Sequence, residues 1–450
     1  MGRATSLGGS GVLPWRRGLT AVAAATALVL AACGGGGGAT SSGGGGQSST
    51  SSGAQPGSQA NGEAITDYAA YTGGKAGKAD ASASPIAIGW VNTQGGPVSS
   101  IPEATQGAQA AVNYVNSQLG GVGGHPVQLR TCFTSQAEEE GQKCGQQLAS
   151  DSSVSIIGFG AVSIGNQSIE SVLNGAKPIV SGVSASPSDS TAKNMYILYG
   201  DQTHVLTPWG TYGRDVLHAK TAAVFYPNQA GAQSGAAVTK KGIQDAGINV
   251  KSVGYIPDAT DLLGPVTASG AQSADMVVPF TDSPGCVNAA KAMKQIGLTK
   301  GGAIVADPLC LDPTVAKGLG GDLPKWTYGI AQTLPTDTTA ADQKAYVSTS
   351  SQFGLNKAST ANPYAALGWA QILTIAKFMN AVGPDKITPE SMAAQVKAFK
   401  GPLIMGAPSI QCGKYPDAPA VCNDQTKFYT YEGKGVFKQV SGWLKPPKSS

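Results

Sequence analysis

From Pro85 onward the chain alternates two kinds of hydrophobic pattern. Residues 86–91 form a short apolar run of strand length, and 127–131, 154–159 and 178–181 are expected as the next three strands. Between them, apolar residues recur at helical spacing. Ala108, Ala111, Val112, Val115 and Leu119 form one such stripe, closed by Gly120-Gly121. Residues 139–149 and 167–174 give two more helices. The alternation then restarts: helix 204–217, strand 221–226, helix 234–246, strand 249–255, strand 276–280, helix 287–296 and strand 303–306. The tail differs. Residues 342–353, 364–379 and 389–399 are periodic as helices. Residues 428–431 and 436–440 predict a hairpin about Glu432-Gly433-Lys434-Gly435.

Two successive α/β units imply two parallel sheets, each covered by helices. Open parallel sheets hold ligands beyond the carboxyl ends of their strands. The segments expected there, 93–101, 160–165, 182–188, 227–231, 281–285 and 307–312, are rich in Gly, Ser, Thr and Asp. A solute caught between two such lobes would meet many small polar donors. About 365 residues follow Ser84, more than one core ordinarily supports, which again predicts two lobes. No later segment reads as long and apolar enough to span a membrane.

The amino-terminal end has another character. Arg16 and Arg17 precede an apolar stretch, 18–30, that is too short to cross a bilayer as a helix. This is the pattern of an export signal, and two arginines leave open whether the route is the general one or the twin-arginine one. Residues 34–84 are mostly Gly, Ser, Thr and Ala, with glycine runs at 34–38 and 43–46. So little apolar surface cannot offset the entropy of ordering, and a flexible tether is expected.

Charge argues against a polyanionic partner. There are 31 Lys and Arg against 27 Asp and Glu, and loss of Arg3, Arg16 and Arg17 with the leader brings the balance to +1. No basic stripe with interleaved aromatics occurs, so no nucleic-acid partner is expected. Besides Cys33 there are six cysteines, Cys132, Cys144, Cys286, Cys310, Cys412 and Cys422. An even set in an exported chain implies disulfides, with fifteen connectivities open. Pairing of sequence neighbours is expected: Cys132–Cys144, Cys286–Cys310 and Cys412–Cys422, each adding about 2–4 kcal/mol. The alternative, a zinc site, lacks a C-x-x-C pair, and His125, His204 and His218 have no metal-ligand spacing. No metal and no cofactor is expected.

Leu30-Ala31-Ala32-Cys33 resembles the lipobox of bacterial lipoproteins. That resemblance implies cleavage before Cys33, lipid modification of Cys33, and a domain held at the extracytoplasmic face of the membrane through that anchor alone. The signal would be 1–32 and the tether 33–84.

The remainder resembles the branched-chain amino-acid type of substrate-binding protein, with the type I periplasmic-binding fold. The resemblance runs from about Pro85 to Val440. Its carriers are Ile88-Gly89, Gly95-Gly96-Pro97, Gly107 to Val112 with Asn116, and Gly120-Gly121-Val122-Gly123-Gly124-His125-Pro126-Val127. Ile157-Gly158, Pro178-Ile179-Val180-Ser181 and Gln295-Ile296-Gly297-Leu298 continue it. It implies an α/β fold of two doubly wound parallel-sheet lobes joined by three crossovers, near 200–203, 327–332 and 403–407. The first lobe would be 85–202 plus 330–404, the second 203–329 plus 405–443, with a tail 444–450. The implied protein is a monomeric receptor that closes on a small polar ligand and delivers it to an ABC permease, without chemistry.

The same resemblance implies site residues. Ala161, Val162, Ser163, Ser184, Ala185 and Ser186 would hold a carboxylate in the first lobe through backbone N–H groups and hydroxyls. Asp307 would meet an ammonium from the second lobe, and Tyr364 would wall the cleft. Asp307 and Asp312 also precede prolines, the composition of a turn start, and Ser184 and Ser186 have the chemistry of caps. Trp209, Trp326 and Trp369 are expected in packing. The family's cleft tyrosines have no counterpart: Ile101, Thr281 or Asp282, and Gly231 fall at their places. This implies a different or more polar ligand.

Three other readings stay in view. Residues 158–163 read G-x-G-x-x-S, but a dinucleotide loop belongs after the first strand with an acid about 20 residues on. Ser163 as a hydrolase nucleophile needs a later acid and then a His, and only His204 and His218 follow it. A surface sensor or adhesion lipoprotein would use the same fold without transport.

Overall fold

A computed structural model describes residues 64–448 except 97–99, 185, 202 and 299–302, and leaves out the side chain of Ala230. The expected signal, Cys33 and tether residues 34–63 lie outside the described residues. So does Ala185.

Helices run in the order α1 (Tyr68–Thr72), α2 (Pro102–Gln118), α3 (Glu138–Ser150), α4 (Asn166–Leu173), α5 (Pro208–Asp215), α6 (Ala230–Asp245) and α7 (Leu263–Ala268). Then come α8 (Ser283–Gln295), α9 (Pro313–Gly318), α10 (Ala341–Ser350), α11 (Lys357–Thr360), α12 (Pro363–Val382) and α13 (Pro389–Ala398).

The first sheet contains β1 (Ile86–Thr93), β2 (Val127–Thr134), β3 (Val154–Phe159), β4 (Ile179–Val183) and β5 (Met195–Gly200). All are parallel, in the order β2-β1-β3-β4-β5. Alternate residues of a strand face opposite sides. Ile88, Trp90, Ile156, Val180 and Leu198 therefore enter one core with α2 and α12. Ala87, Val91, Val154, Ile157, Ile179 and Ile197 enter another with Cys144, Leu148, Ile169 and Leu173 of α3 and α4. Each such large aliphatic, fully buried, contributes about 1.5–3 kcal/mol. The sequence pattern passed over β5, because a single 3-10 turn, Pro187–Thr191, and no helix links it to β4.

The second sheet begins with parallel strands β6 (Thr221–Pro227), β7 (Asn249–Tyr255) and β8 (Met276–Pro279), ordered β7-β6-β8. Val277 bridges to Ile304, which leads into β9 (Val305–Ala306) and parallel β10 (Thr327–Ile330). The predicted hairpin then adds antiparallel β11 (Lys427–Gly433) and β12 (Val436–Gln439), with Tyr431 opposite Phe437. The predicted helix 204–217 is two pieces, a 3-10 turn His204–Leu206 and α5, which Pro208 starts.

Four expectations are corrected. Residues 64–84 are not all tether. Asp67 caps α1, and Tyr68 and Tyr71 are buried against α12, where the Tyr71 hydroxyl meets Thr374 Oγ1 at 3.1 Å. Lys377 and Asn380 of α12 donate to the carbonyls of Tyr71 and Thr72. Second, the segment 405–422 belongs with the first sheet and not with the second lobe. Val421 pairs with Ile197 of β5, Ile197 N–H donates to Ala420 O at 2.8 Å, and Met405, Ala407, Ile410 and Cys412 enter the first-lobe core. The last crossing therefore follows Cys422. Third, Ile330 ends β10 in the second sheet, whereas the expected bounds gave it to the first lobe. Fourth, α12 is long and apolar enough to cross a membrane, yet most of it is buried inside the first lobe.

The three expected disulfides are formed: Cys132–Cys144, Cys286–Cys310 and Cys412–Cys422. Cys132–Cys144 ties β2 to α3. Trp209, Trp326 and Trp369 are all buried, as expected.

Candidate functional site

The strands of the first sheet end in polar residues where their apolar runs stop. Asn92 and Thr93, the last two residues of β1, are fully buried. Asn92 Oδ1 accepts the Ala161 N–H at 2.8 Å, and its amide donates to Ile101 O at 2.8 Å and Gln94 Oε1 at 3.0 Å. Thr93 Oγ1 accepts the Ser163 N–H at 2.9 Å and the Ile164 N–H at 3.4 Å, and pairs with Thr134 Oγ1 of β2. A Cβ on Gly160 would stand 2.7 Å from Asn92 Oδ1, so this close approach requires glycine. The loop after β3 is thus held from beneath by two side chains of β1.

The neighbouring loops are fastened in a similar way. Glu138, at the start of α3, accepts the Gly165 N–H and the Ser168 hydroxyl, each at 3.0 Å. Glu140 accepts N–H groups of Gln136 and Ser135, and these bonds hold its carboxyl down at about 2. After β4, Ser184 is buried and Ser186 caps the 3-10 turn. The Ser186 N–H donates to Asp189 Oδ2 at 3.2 Å and its hydroxyl to Asp189 Oδ1 at 2.8 Å, while Asn166 donates to the same hydroxyl. Ser186 thus stands at the N-cap position, with Asp189 accepting both its N–H and its hydroxyl proton.

In the second sheet Asp307 follows β9 and caps the next turn, accepting the Leu309 N–H at 2.9 Å. Burial raises its carboxyl to about 6 against that hydrogen bond. Asp282 and Asp312 likewise cap α8 and α9. Thr281 accepts or donates a 2.8 Å bond with the Tyr255 hydroxyl, so a tyrosine from β7 occupies this end of the sheet. Tyr364 opens α12 and is 37% exposed. Burial and then the charges of Asp307 and Asp312 raise its phenol above the ordinary value.

The structure therefore brings Ala161, Val162, Ser163, Ser184 and Ser186 to adjacent strand ends of one sheet, while Asp307 follows β9 of the other and Tyr364 heads α12. Sequence reasoning missed Asn92 and Thr93. Their signal was two polar residues closing the apolar run Ile86–Thr93.

Residues 85–414 match the sequence family described as periplasmic binding protein. The chain belongs to the periplasmic binding protein family. Solved structures agree on the fold of this periplasmic binding protein. One is a putative branched-chain amino acid ABC transporter from Rhodospirillum rubrum, 13% identical, with TM-score 0.64, covering 79% of this chain and 99% of that one. A second is an ABC transporter substrate-binding protein from Desulfitobacterium hafniense in complex with Leu, 16% identical, TM-score 0.62, covering 79% and 99%. A third is a solute-binding protein from R. palustris in complex with 4-hydroxybenzoate, 18% identical, TM-score 0.59, covering 81% and 98%. No curated protein matches the chain.

Proposed function

We propose that this periplasmic binding protein is the extracytoplasmic solute receptor of an ABC importer. It takes a small polar solute, an amino acid or a related compound, between its two sheets and carries out no chemistry on it. It works as a monomer, reaches the permease from a lipid anchor at Cys33, and needs no cofactor. The first lobe in this reading is 64–201 with 331–422, and the second is 203–330 with 426–444. Ala161 to Ser163, Ser184 to Ser186, Asp307 and Tyr364 form the two walls.

The observation that carries the reading is the pair of parallel sheets, β2-β1-β3-β4-β5 and β7-β6-β8, whose strands lead into polar Gly-, Ser- and Asp-rich loops. Two sheets that present their carboxyl ends to one space form a ligand crevice, and three crossings between them provide a hinge. A thermal-shift screen over amino acids, amines, amides and small acids tests it. A bound ligand at 100 times its Kd adds about 2.7 kcal/mol of stability. Turnover of an ester or amide that depends on Ser163, with no solute that shifts melting, would contradict it.

A further inference from the structure

We propose that Glu170 is a positioning residue of the first-lobe wall: its carboxyl group donates a proton to Asp189, and that bond holds the loop that carries Ser184 and Ser186. The link to ligand capture rests on the receptor reading above; the link between the proton and the loop does not.

Asp189 is 2% exposed and is the one buried residue of its 3-10 turn. Its carboxyl oxygens accept the Ser186 N–H at 3.2 Å, the Ser186 hydroxyl at 2.8 Å and the Asn166 amide of α4 at 2.5 Å. The loop after β4 is therefore fastened at this side chain.

Glu170, one turn along α4 from Asn166, hydrogen-bonds to Asp189 and to Ser188 of the same 3-10 turn. Two carboxyl groups can hydrogen-bond to each other only when one holds a proton. The Asp189 oxygens are already met by three donors, so the proton sits on Glu170. Glu170 Oε1 is buried and has no hydrogen-bond donor among the described residues. As part of a charged carboxylate it would be desolvated without compensation.

The surrounding charges do not offset that cost. Glu138 of α3 adds a further negative charge. Glu139 and Lys143 of α3 are exposed, and Glu140 is bonded to Ser135 and Gln136. Lys193, beyond the turn, bonds Asn174 Oδ1 at 2.9 Å. Burial first, and then Asp189, raise the Glu170 carboxyl to about 8. The pair therefore carries one proton at neutral pH.

Loss of that proton sets two carboxylates against each other, and the turn is the side that yields. Ile169 and Leu173 fix α4 in the core, whereas the turn buries only Asp189. Ser186 is bonded to Asp189 and leaves the wall with it.

A spin label at Thr191→Cys, on the exposed end of the turn, tests this in the ligand-free chain. The label should be immobile at pH 6.5. At pH 9, one unit above the titration, about nine-tenths of it should be mobile. Glu170→Gln keeps a donor for Asp189 without a titrating proton, and its label should stay immobile at both values. Mobility that does not change with pH, or that changes equally in the Gln variant, overturns the inference and leaves the receptor reading standing.

A second arm measures the Kd of leucine and of 4-hydroxybenzoate at pH 7 and 9 by titration calorimetry. The ratio of the two Kd values should be about tenfold larger for the parent chain than for Glu170→Gln, a comparison that cancels titration of the solute itself. Equal ratios would overturn the positioning role. Silence from both compounds and from the wider screen counts against the receptor reading, and the label then decides the inference by itself.

Discussion

Tyr364, at the head of α12, feels the charge of Asp307, which follows β9: burial first, and then the Asp307 and Asp312 carboxylates, hold the Tyr364 phenol above its ordinary pKa. Neither residue has a large structural task besides capping. Asp307 fastens one 3-10 turn, and Tyr364 is left 37% exposed at the head of a buried helix.

Asp307→Asn tests the cost of that carboxylate. Its folded pKa is raised to about 6, while the unfolded value is about 3.9. Between those values the folded chain holds a proton that the unfolded chain has lost, so stability falls as pH rises from about 4 to 6. Asparagine keeps the cap without the charge. The variant should melt higher at pH 7.5, by the equivalent of about 1–3 kcal/mol, and should lose part of the decline between pH 4 and 6. Identical melting curves across that range would show that no such cost exists.

The helices α2 and α12 cross so closely that glycine is required on both. A Cβ on Gly107 would stand 1.9 Å from Ala365 O, and one on Gly368 would stand 2.1 Å from Ala104 O. Gly368→Ala is expected to destabilise by about 1–3 kcal/mol through overpacking. Urea denaturation reads this as a lower midpoint with an unchanged slope.

The amino-terminal clasp gives a third test. Tyr68 is buried with its ring centroid 6.0 Å from those of Tyr114 and Trp369. Tyr68→Ala should cost about 3–5 kcal/mol. A tether residue would cost less than about 0.5 kcal/mol, which is the usual limit for a surface change.

Peptide mapping without reductant should recover Cys132–Cys144, Cys286–Cys310 and Cys412–Cys422 with no free thiol among the six. Cys286–Cys310 closes the longest loop, with a sequence separation of 24. Its removal as a Ser pair should cost about 2–4 kcal/mol, and more than removal of the separations of 12 and 10.

The parts of the fold that were legible in the sequence are those where one period dominates. Val154–Phe159 and Asn249–Tyr255 are strands with the bounds that were expected of them. The parts that were not legible lack a period. Residues 405–422 run over the first sheet as turns fixed by single bonds and one disulfide, so nothing in their pattern says which lobe they join. The clasp was masked by a Gly- and Ser-rich composition, although Tyr68 and Tyr71, three apart, were its trace. At the candidate site, Ser163 and Ser186 were singled out by type. What they bond to was set by Asn92, Thr93 and Asp189, and distance in sequence hid it.

Closure on a solute is the centre of this account, and a distance between the lobes measures it directly. Spin labels at Gln136→Cys and Ile256→Cys would sit on the loops that end β2 and β7, both exposed. With a ligand found by thermal shift at saturation, the label distance should shorten and its distribution narrow. An unchanged distribution with the ligand demonstrably bound would contradict capture between two closing lobes.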